Sequence, residues 1–275
     1  GAYPFPGHED STFVERIRRY ILKAIREAKV HTAWLKPDAA YENAYLSFIE
    51  EILAPSEQNQ FLPLFLPFQK KIAFYGMFNS LSQTLIKITS PGVPDLYQGT
   101  ELWDLNLVDP DNRRPVDFAT RVSMLCDIKN RSGAEIIPLI SELFAQRESG
   151  KVKLFLIHRA LSARNQHRAL FRHGRYVPLR AGGRWRNHLI AFAREHESSW
   201  ALTLAPRFLT SLVEEPACPL GKHMWDDTFV VLPQGTAGRW CDAISGQSIE
   251  GAGPVAAGDV FAHFPGALLI GEKRP

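Results

Sequence analysis

The chain has 275 residues, 45% of them hydrophobic and 22% charged, with a formal net charge of +3. These are globular proportions, in a length that suits one large or two ordinary domains and buries a sizeable core without staples. The longest apolar stretches are broken by Pro or Lys well short of membrane-spanning length, which excludes a membrane helix, and so small a charge does not by itself point to nucleic acid.

In chain order, the opening Gly1-Ala2-Tyr3-Pro4-Phe5-Pro6-Gly7 lacks a Met, a basic stretch and an apolar run. It does not read as a signal peptide, and a start on Gly suggests a trimmed or processed piece. Glu9-Asp10 precedes the first helix and reads as part of a connection. Thr12 with Glu15 three residues later makes a capping box. Phe13, Ile17, Ile21, Ala24, Ile25 and Ala28 then recur at helical spacing, with Arg and Lys on the opposite face. A second helix is expected over 38–53, burying Tyr41, Tyr45, Phe48, Ile49 and Ile52, with Pro55 as its stop. The Pro-rich 61–67 is left open, and a third helix starts at Pro67, where a missing N–H costs nothing, and runs to Ser82. Thr84–Thr89, with Leu85, Ile86 and Ile88 around Lys87, reads as a short buried strand ended by Pro91-Gly92. Asp117 caps a helix to about Lys129, and another spans 135–147 before Gly150.

After Gly150 the pattern changes. Val152–Ile157 reads as a largely buried strand, with a short helix over 160–169. Short apolar segments follow at 176–179, 189–193, 201–205, 228–232, 239–244, 260–264 and 267–270, separated by turn residues. Strands at that spacing mean an antiparallel sandwich or barrel. The fold class is therefore α+β, with an α-rich part over 1–150 and a β domain over 151–275. Cys126, Cys218 and Cys241 are three at unrelated spacings, which reads as reduced core thiols of a cytoplasmic protein, with no metal site.

The stretch 90–117 is too long and too punctuated by Pro and Gly to be regular structure. It carries Tyr97, Trp103, five acids ahead of Asn112 (Asp95, Glu101, Asp104, Asp109, Asp111) and then Asn112, Arg113 and Arg114. Large aromatics among paired charges are unlike a disordered loop. They read as the wall of a site for a polar substrate. Taken alone, the residues nominate Glu101 and Asp109 as a reacting carboxyl pair.

Pro91-Gly92-Val93-Pro94-Asp95-Leu96-Tyr97-Gln98-Gly99-Thr100-Glu101 resembles the segment after the eighth barrel strand of the α-amylase superfamily. Asp109-Pro110-Asp111-Asn112-Arg113-Arg114-Pro115 is narrower and is similar to maltooligosyl trehalose synthase. So are Arg26–Trp34, Tyr41-Glu42, Phe78–Leu85 and His188–Arg194. That family turns the reducing-end α-1,4 linkage of a maltooligosaccharide into an α,α-1,1 linkage. The resemblance implies that the α-rich part is the last part of a (β/α)8 barrel, that the β part is a C-terminal sandwich, and that a barrel segment preceding this chain is its partner. It implies a maltooligosaccharide substrate, no cofactor and no metal. It also argues against Glu101 and Asp109 as the reacting pair. The family's nucleophile is an Asp two residues after an Arg on an earlier strand, and no Arg-x-Asp occurs here. Its other two carboxyl groups also lie on earlier strands. No catalytic residue is carried over. What carries over is a substrate wall: Tyr97 stacking on a sugar, Asp109, Asn112 and Arg113 bonding hydroxyls, and Glu101 and Arg114 bracing the loop. Trp34 and Tyr41 match the family as well, but on helical or linking segments they read as core before function.

The run from Arg159 to Arg186 holds eight arginines and no acid. It reads as a solvated face or as pairing with acids of the α-rich part or of the preceding barrel segment, and alternatively as a polyanion site. Two rival functions stay open: a hydrolase of α-1,4 bonds in the same superfamily, and a non-catalytic module that binds glucan or polyanion.

Overall fold

The computed structural model describes residues 2–5, 11–131, 133, 135–236, 238–251 and 253–272. Glu9-Asp10 lies outside them. The described residues form a mixed helical and antiparallel β structure, as the α+β expectation requires. Contacts group the chain into two compact units, Gly1–Phe74 with Asp104–Val116, and Tyr75–Trp103 with Asp117–Pro275.

In the first unit, helix α1 spans Phe13–Ala28 and α2 spans Ala39–Leu53. The expected capping box is not made. Thr12 already has a helical backbone (φ −93°, ψ −1°) and its side chain caps nothing. Glu15 turns instead to Arg19 one turn on, 2.8 Å away. α2 is capped as read, with Asp38 Oδ1 accepting from the Tyr41 amide at 3.0 Å. Its expected apolar face is only partly covered. Phe48 is exposed and the buried residue of the helix is Glu42.

Helix α3 runs unbroken from Phe61 to Thr89. It absorbs the open stretch 61–67, carries Pro67 inside it, and replaces the strand expected over 84–89. The reason is periodicity on a longer window. Phe78, Leu81, Leu85 and Ile88 recur every three or four residues and all are buried, which is the stripe of a packed helix. Arg164 Nη1 donates to the carbonyl of Ile88 at 2.6 Å, and Arg194 reaches that of Thr89 at 3.4 Å. Two cations at the carbonyl end of a helix are well placed against its dipole.

The second unit continues with α4 (Phe118–Arg131), α5 (Ile136–Ala145), α6 (Lys151–Gln166) and α7 (Arg168–His173). Asp117 caps α4 through the Thr120 amide at 2.9 Å. α6 overturns the strand expected over 152–157. Every residue from Val152 to Ile157 is buried, so that turn of helix is covered all round and shows neither period. The β part accordingly begins at Arg175.

Its larger sheet is antiparallel, in the order β1 (Arg175–Pro178), β3 (Leu189–His196), β4 (Ser199–Pro206), β9 (Ala267–Glu272), β6 (Arg239–Asp242), β7 (Ser248–Glu250). The smaller one joins β2 (Arg180–Gly182), β5 (Phe229–Val231) and β8 (Val255–Ala256). Strands β2, β7 and β8 are too short to show a pattern in sequence. The strand expected over 260–264 is absent. A helical turn, Ala257–Val260, occupies its start, and Phe264 leaves for the core.

β4 is buried at every residue from Trp200 to Pro206, so both faces of its strand are covered. An aromatic cluster links helices and sheet. Phe144 lies 6.4 Å from Phe78 and 5.3 Å from Phe264, which in turn lies 6.1 Å from Phe155, centroid to centroid. Asp242 closes the turn after β6. Its buried carboxylate accepts from the Ile244, Ser245 and Leu268 amides and from Ser245 Oγ at 2.6–3.2 Å. Burial nonetheless pushes that carboxyl up, against these donors. Cys126 and Cys241 are exposed and so are not core thiols.

Candidate functional site

No residue of 90–117 is fully buried, so the stretch is a surface feature along its whole length. Asp109, Asn112, Arg113 and Arg114 come together in the first unit around a single 3-10 turn, Asp111–Arg113. Tyr97 and Glu101 belong to the second unit.

The turn is anchored by a residue that sequence reading did not nominate. Asp111 receives a two-pronged grip from Arg16 of α1, Nε to Oδ1 and Nη2 to Oδ2, each at 2.8 Å. The Leu107 amide adds a third donor to Oδ2 at 2.7 Å, and Arg16 Nη2 also holds the Leu105 carbonyl at 2.8 Å. The side chains of Arg16 and Asp111 are only 8% and 9% exposed. The Arg16 bonds hold the Asp111 carboxyl below its usual range, against the desolvation that would raise it. Two turns along α1, Lys23 Nζ donates to the Asp109 carbonyl. Arg16 and Lys23 were expected on a solvent face. A partner 95 or 86 residues away leaves no trace in the periodicity of one helix.

On this anchored turn the nominated side chains differ in what they have left to offer. Asp109 Oδ1 accepts from Arg113 Nε, and both side chains remain open to solvent. Arg114 Nη2 donates to Asn106 Oδ1 at 2.6 Å and its Nε lies 3.3 Å from Asp111. Asn112 Oδ1 is buried and finds no hydrogen-bond partner among the described residues. A buried acceptor left unpaired is costly.

In the second unit, Glu101 Oε2 accepts from Arg121 Nε at 3.0 Å. The same guanidinium donates to the carbonyls of Gly99 (2.9 Å) and Asp117 (3.0 Å), which ties both ends of 99–117 to α4. Trp103 Nε1 donates to the Arg147 carbonyl at 2.7 Å, and Lys153 Nζ reaches the Leu102 carbonyl at 3.1 Å. Tyr97 presents a half-exposed ring. Gly150 sits at φ +76°, and a Cβ there would lie 2.9 Å from the Trp103 amide nitrogen, so this crossing needs glycine on both counts.

Trp34 and Tyr41 occupy the connection between α1 and α2 and its far side. Tyr41 packs on His31, centroids 4.8 Å apart. Trp34 is 55% exposed and lies under the Arg26 guanidinium, 5.0 Å from the ring centroid.

Most of the arginine-rich run is spent inside the chain. Arg159 donates to Ala243, Arg164 to the end of α3, Arg168 to Asn165, Arg175 to Glu195 and Arg184 to Asp226. Only two of these partners are acids, Glu195 and Asp226, and both lie in the β part rather than in the α-rich part. Among the described residues no group of three or more His, Cys, Asp or Glu is placed to hold a metal ion, and no helix is long and apolar enough to cross a membrane.

No family model matches the chain. Two Mycobacterium tuberculosis proteins, both provisionally named maltooligosyl trehalose synthase, are 32% identical to it over 273 residues, 99% of this chain. The maltooligosyltrehalose synthase structure from Arthrobacter ramosus superposes on 94% of the chain with a TM-score of 0.74 at 31% identity. The relatives of this chain are maltooligosyl trehalose synthases. A further solved structure of a maltooligosyl trehalose synthase covers 95% of it with a TM-score of 0.69 at 26% identity. The resemblance read from 91–115 is thus to the same family as these relatives. The chain spans about 30% of the length of the maltooligosyl trehalose synthases it matches.

Proposed function

We propose that this chain is the C-terminal portion of a cytoplasmic maltooligosyl trehalose synthase that needs no cofactor. The parent enzyme moves the reducing-end glucose of a maltooligosaccharide from an α-1,4 to an α,α-1,1 linkage within one molecule. On this reading the helical part completes a (β/α)8 barrel and the two antiparallel sheets pack as the C-terminal sandwich. The observation that carries the proposal is similarity over 99% of this chain to only 30% of its relatives.

The chemistry implied is retaining glycoside transfer, in which one carboxylate attacks the sugar and a second group protonates the departing oxygen. The glucose so released stays bound, turns, and attacks through its anomeric hydroxyl in place of water. Glu101 and Asp109 are each engaged by an arginine, and the sequence has no Arg-x-Asp. Both points support a chain that lines the substrate without supplying the reacting pair. Asp109, Asn112 and Arg113 are assigned to sugar hydroxyls, Tyr97 to a sugar face, and Glu101 and Arg114 to holding the loop. Asp109 and Arg113 support their assignment best, because both side chains stay open to solvent.

The test is a count of reducing ends. Isomerisation consumes one reducing end per turnover, since both anomeric carbons become linked, whereas hydrolysis creates one. The full-length protein given maltopentaose is expected to lose reducing ends, and the 275-residue chain alone to leave them unchanged. A gain of reducing ends by the full-length protein would make it a hydrolase. Turnover by the chain alone would overturn its assignment as a non-catalytic portion.

A further inference from the structure

We propose that Trp34 is a preformed stacking platform for one glucose ring of an α-glucan. The inference rests on the glucan reading above and adds a contact to it.

Trp34 and Leu35 form the tip of a two-residue turn, closed by the Ala33 amide to the Lys36 carbonyl (3.2 Å) and the Lys36 amide to the Ala33 carbonyl (3.1 Å). Leu35 is fully exposed and Trp34 more than half exposed. A large aromatic left open to water wants a partner that is apolar on one face and wet at its edges.

The indole is held. Arg26 covers one face, and Arg26 itself is fixed by two bonds to Glu42, Nε to Oε1 at 2.8 Å and Nη2 to Oε2 at 2.7 Å. Thr32 Oγ1 donates to the same carboxylate at 2.5 Å and accepts from the Asp38 amide at 3.0 Å. A ring positioned in this way loses little freedom when a ligand arrives. It also has one face taken by a cation, so a ligand meets the other.

The surroundings fit a sugar better than a wholly apolar partner. A cavity of about 520 Å³ opens on the backbone of the turn, lined by His31, Lys36 and Asp38 among others but not by the Trp34 ring, and falls within the usual size of small-ligand sites. Its imidazole, ammonium and carboxylate suit hydroxyls. The C–H face of a glucose ring suits the electron-rich face of an indole. Arg26 also lies three residues after Lys23, whose ammonium holds the Asp109 carbonyl. Neighbouring turns of one helix therefore carry the platform and the turn assigned to sugar hydroxyls.

The test is calorimetric titration of the 275-residue chain with maltopentaose, with Trp34→Ala, Trp34→Phe and Asn112→Ala beside it. Trp34→Ala is expected to weaken binding roughly tenfold, the worth of one good ring contact. Trp34→Phe, which keeps a π face, is expected to stay within about threefold of the parent. Maltopentaose is also expected to protect one tryptophan from N-bromosuccinimide, and that protection to vanish in Trp34→Phe. If Trp34→Ala binds as the parent does while Asn112→Ala is weakened, the platform is overturned and the sugar wall stands. If the parent chain binds no maltopentaose, the platform is overturned too, while the reducing-end count on the full-length protein judges the broader reading separately.

Discussion

Glu42 accepts hydrogen bonds from Arg26 and Thr32 at once. Those donors, Arg26 first, bring its carboxyl down to about 2, against the desolvation that would raise it. The sign follows from the depression. An unfolded glutamate protonates near 4.3, so the stabilisation is complete above that value and is lost as pH falls through the folded one. Glu42→Gln should melt at a lower temperature than the parent at pH 7, and the gap should narrow steadily between about pH 4 and pH 2. A gap that stays constant with pH would place the effect in packing. At this scale the sequence was legible only where interacting residues are close in sequence. Asp109, Asn112, Arg113 and Arg114 were named from their run, and they do gather at one turn. Arg16, which anchors that turn, was read as a solvent-facing residue because its partner is distant in sequence.

Helices and strands were legible where one face is wet. α1, α2, α4 and α5 were recovered, as were β1, β3, β5 and β6, because alternation or helical spacing survives when water covers one side, while β4 and β9 were recovered as short apolar runs between turn residues although little water reaches them. α3 and α6 failed where the apolar run is short, and in α6 burial there is complete. Thr84–Thr89 and Val152–Ile157 are each a short apolar run broken only by one lysine, Lys87 or Lys153, too little to reveal a period. The decisive sign for α3 lay in adding Phe78 and Leu81 to the window. At the other end of the chain, Asp242 joins the turn after β6 to β9. Asp242→Ala would leave three amides and a hydroxyl facing a buried hole. The expected loss is about 3 kcal/mol or more in denaturant unfolding, since each orphaned donor costs about 1–3 kcal/mol. Asp242→Asn should recover part of it through its remaining oxygen. A loss below about 1 kcal/mol for the alanine variant would show that water replaces the carboxylate.

On the scale of the molecule, the mixed class of helices and antiparallel strands was readable from the change of pattern after Gly150. The grouping into two compact units was not, because the division falls inside the helix α3 and inside the stretch 90–117. The first part of α3 leaves Leu64 80% and Phe68 62% exposed, with Phe61 and Ile72 also open. An apolar stripe of that length is unusual on a surface that faces only water. It suits a chain that spans about 30% of its relatives. The isolated chain should therefore bind a hydrophobic dye such as anilinonaphthalene sulfonate. Leu64→Glu with Phe68→Glu should cut that signal severalfold while leaving the unfolding midpoint within about 0.5 kcal/mol, as for a surface change. A lost cooperative transition would instead show that the stripe supports the fold.

The turn at Asp111 owes its shape to Arg16 and Lys23, which stand 95 residues before Asp111 and 86 before Asp109. A short synthetic peptide copied from that turn would carry the right letters and none of the scaffolding. Transplanting it onto another protein would require bringing the guanidinium and ammonium of α1 along with it.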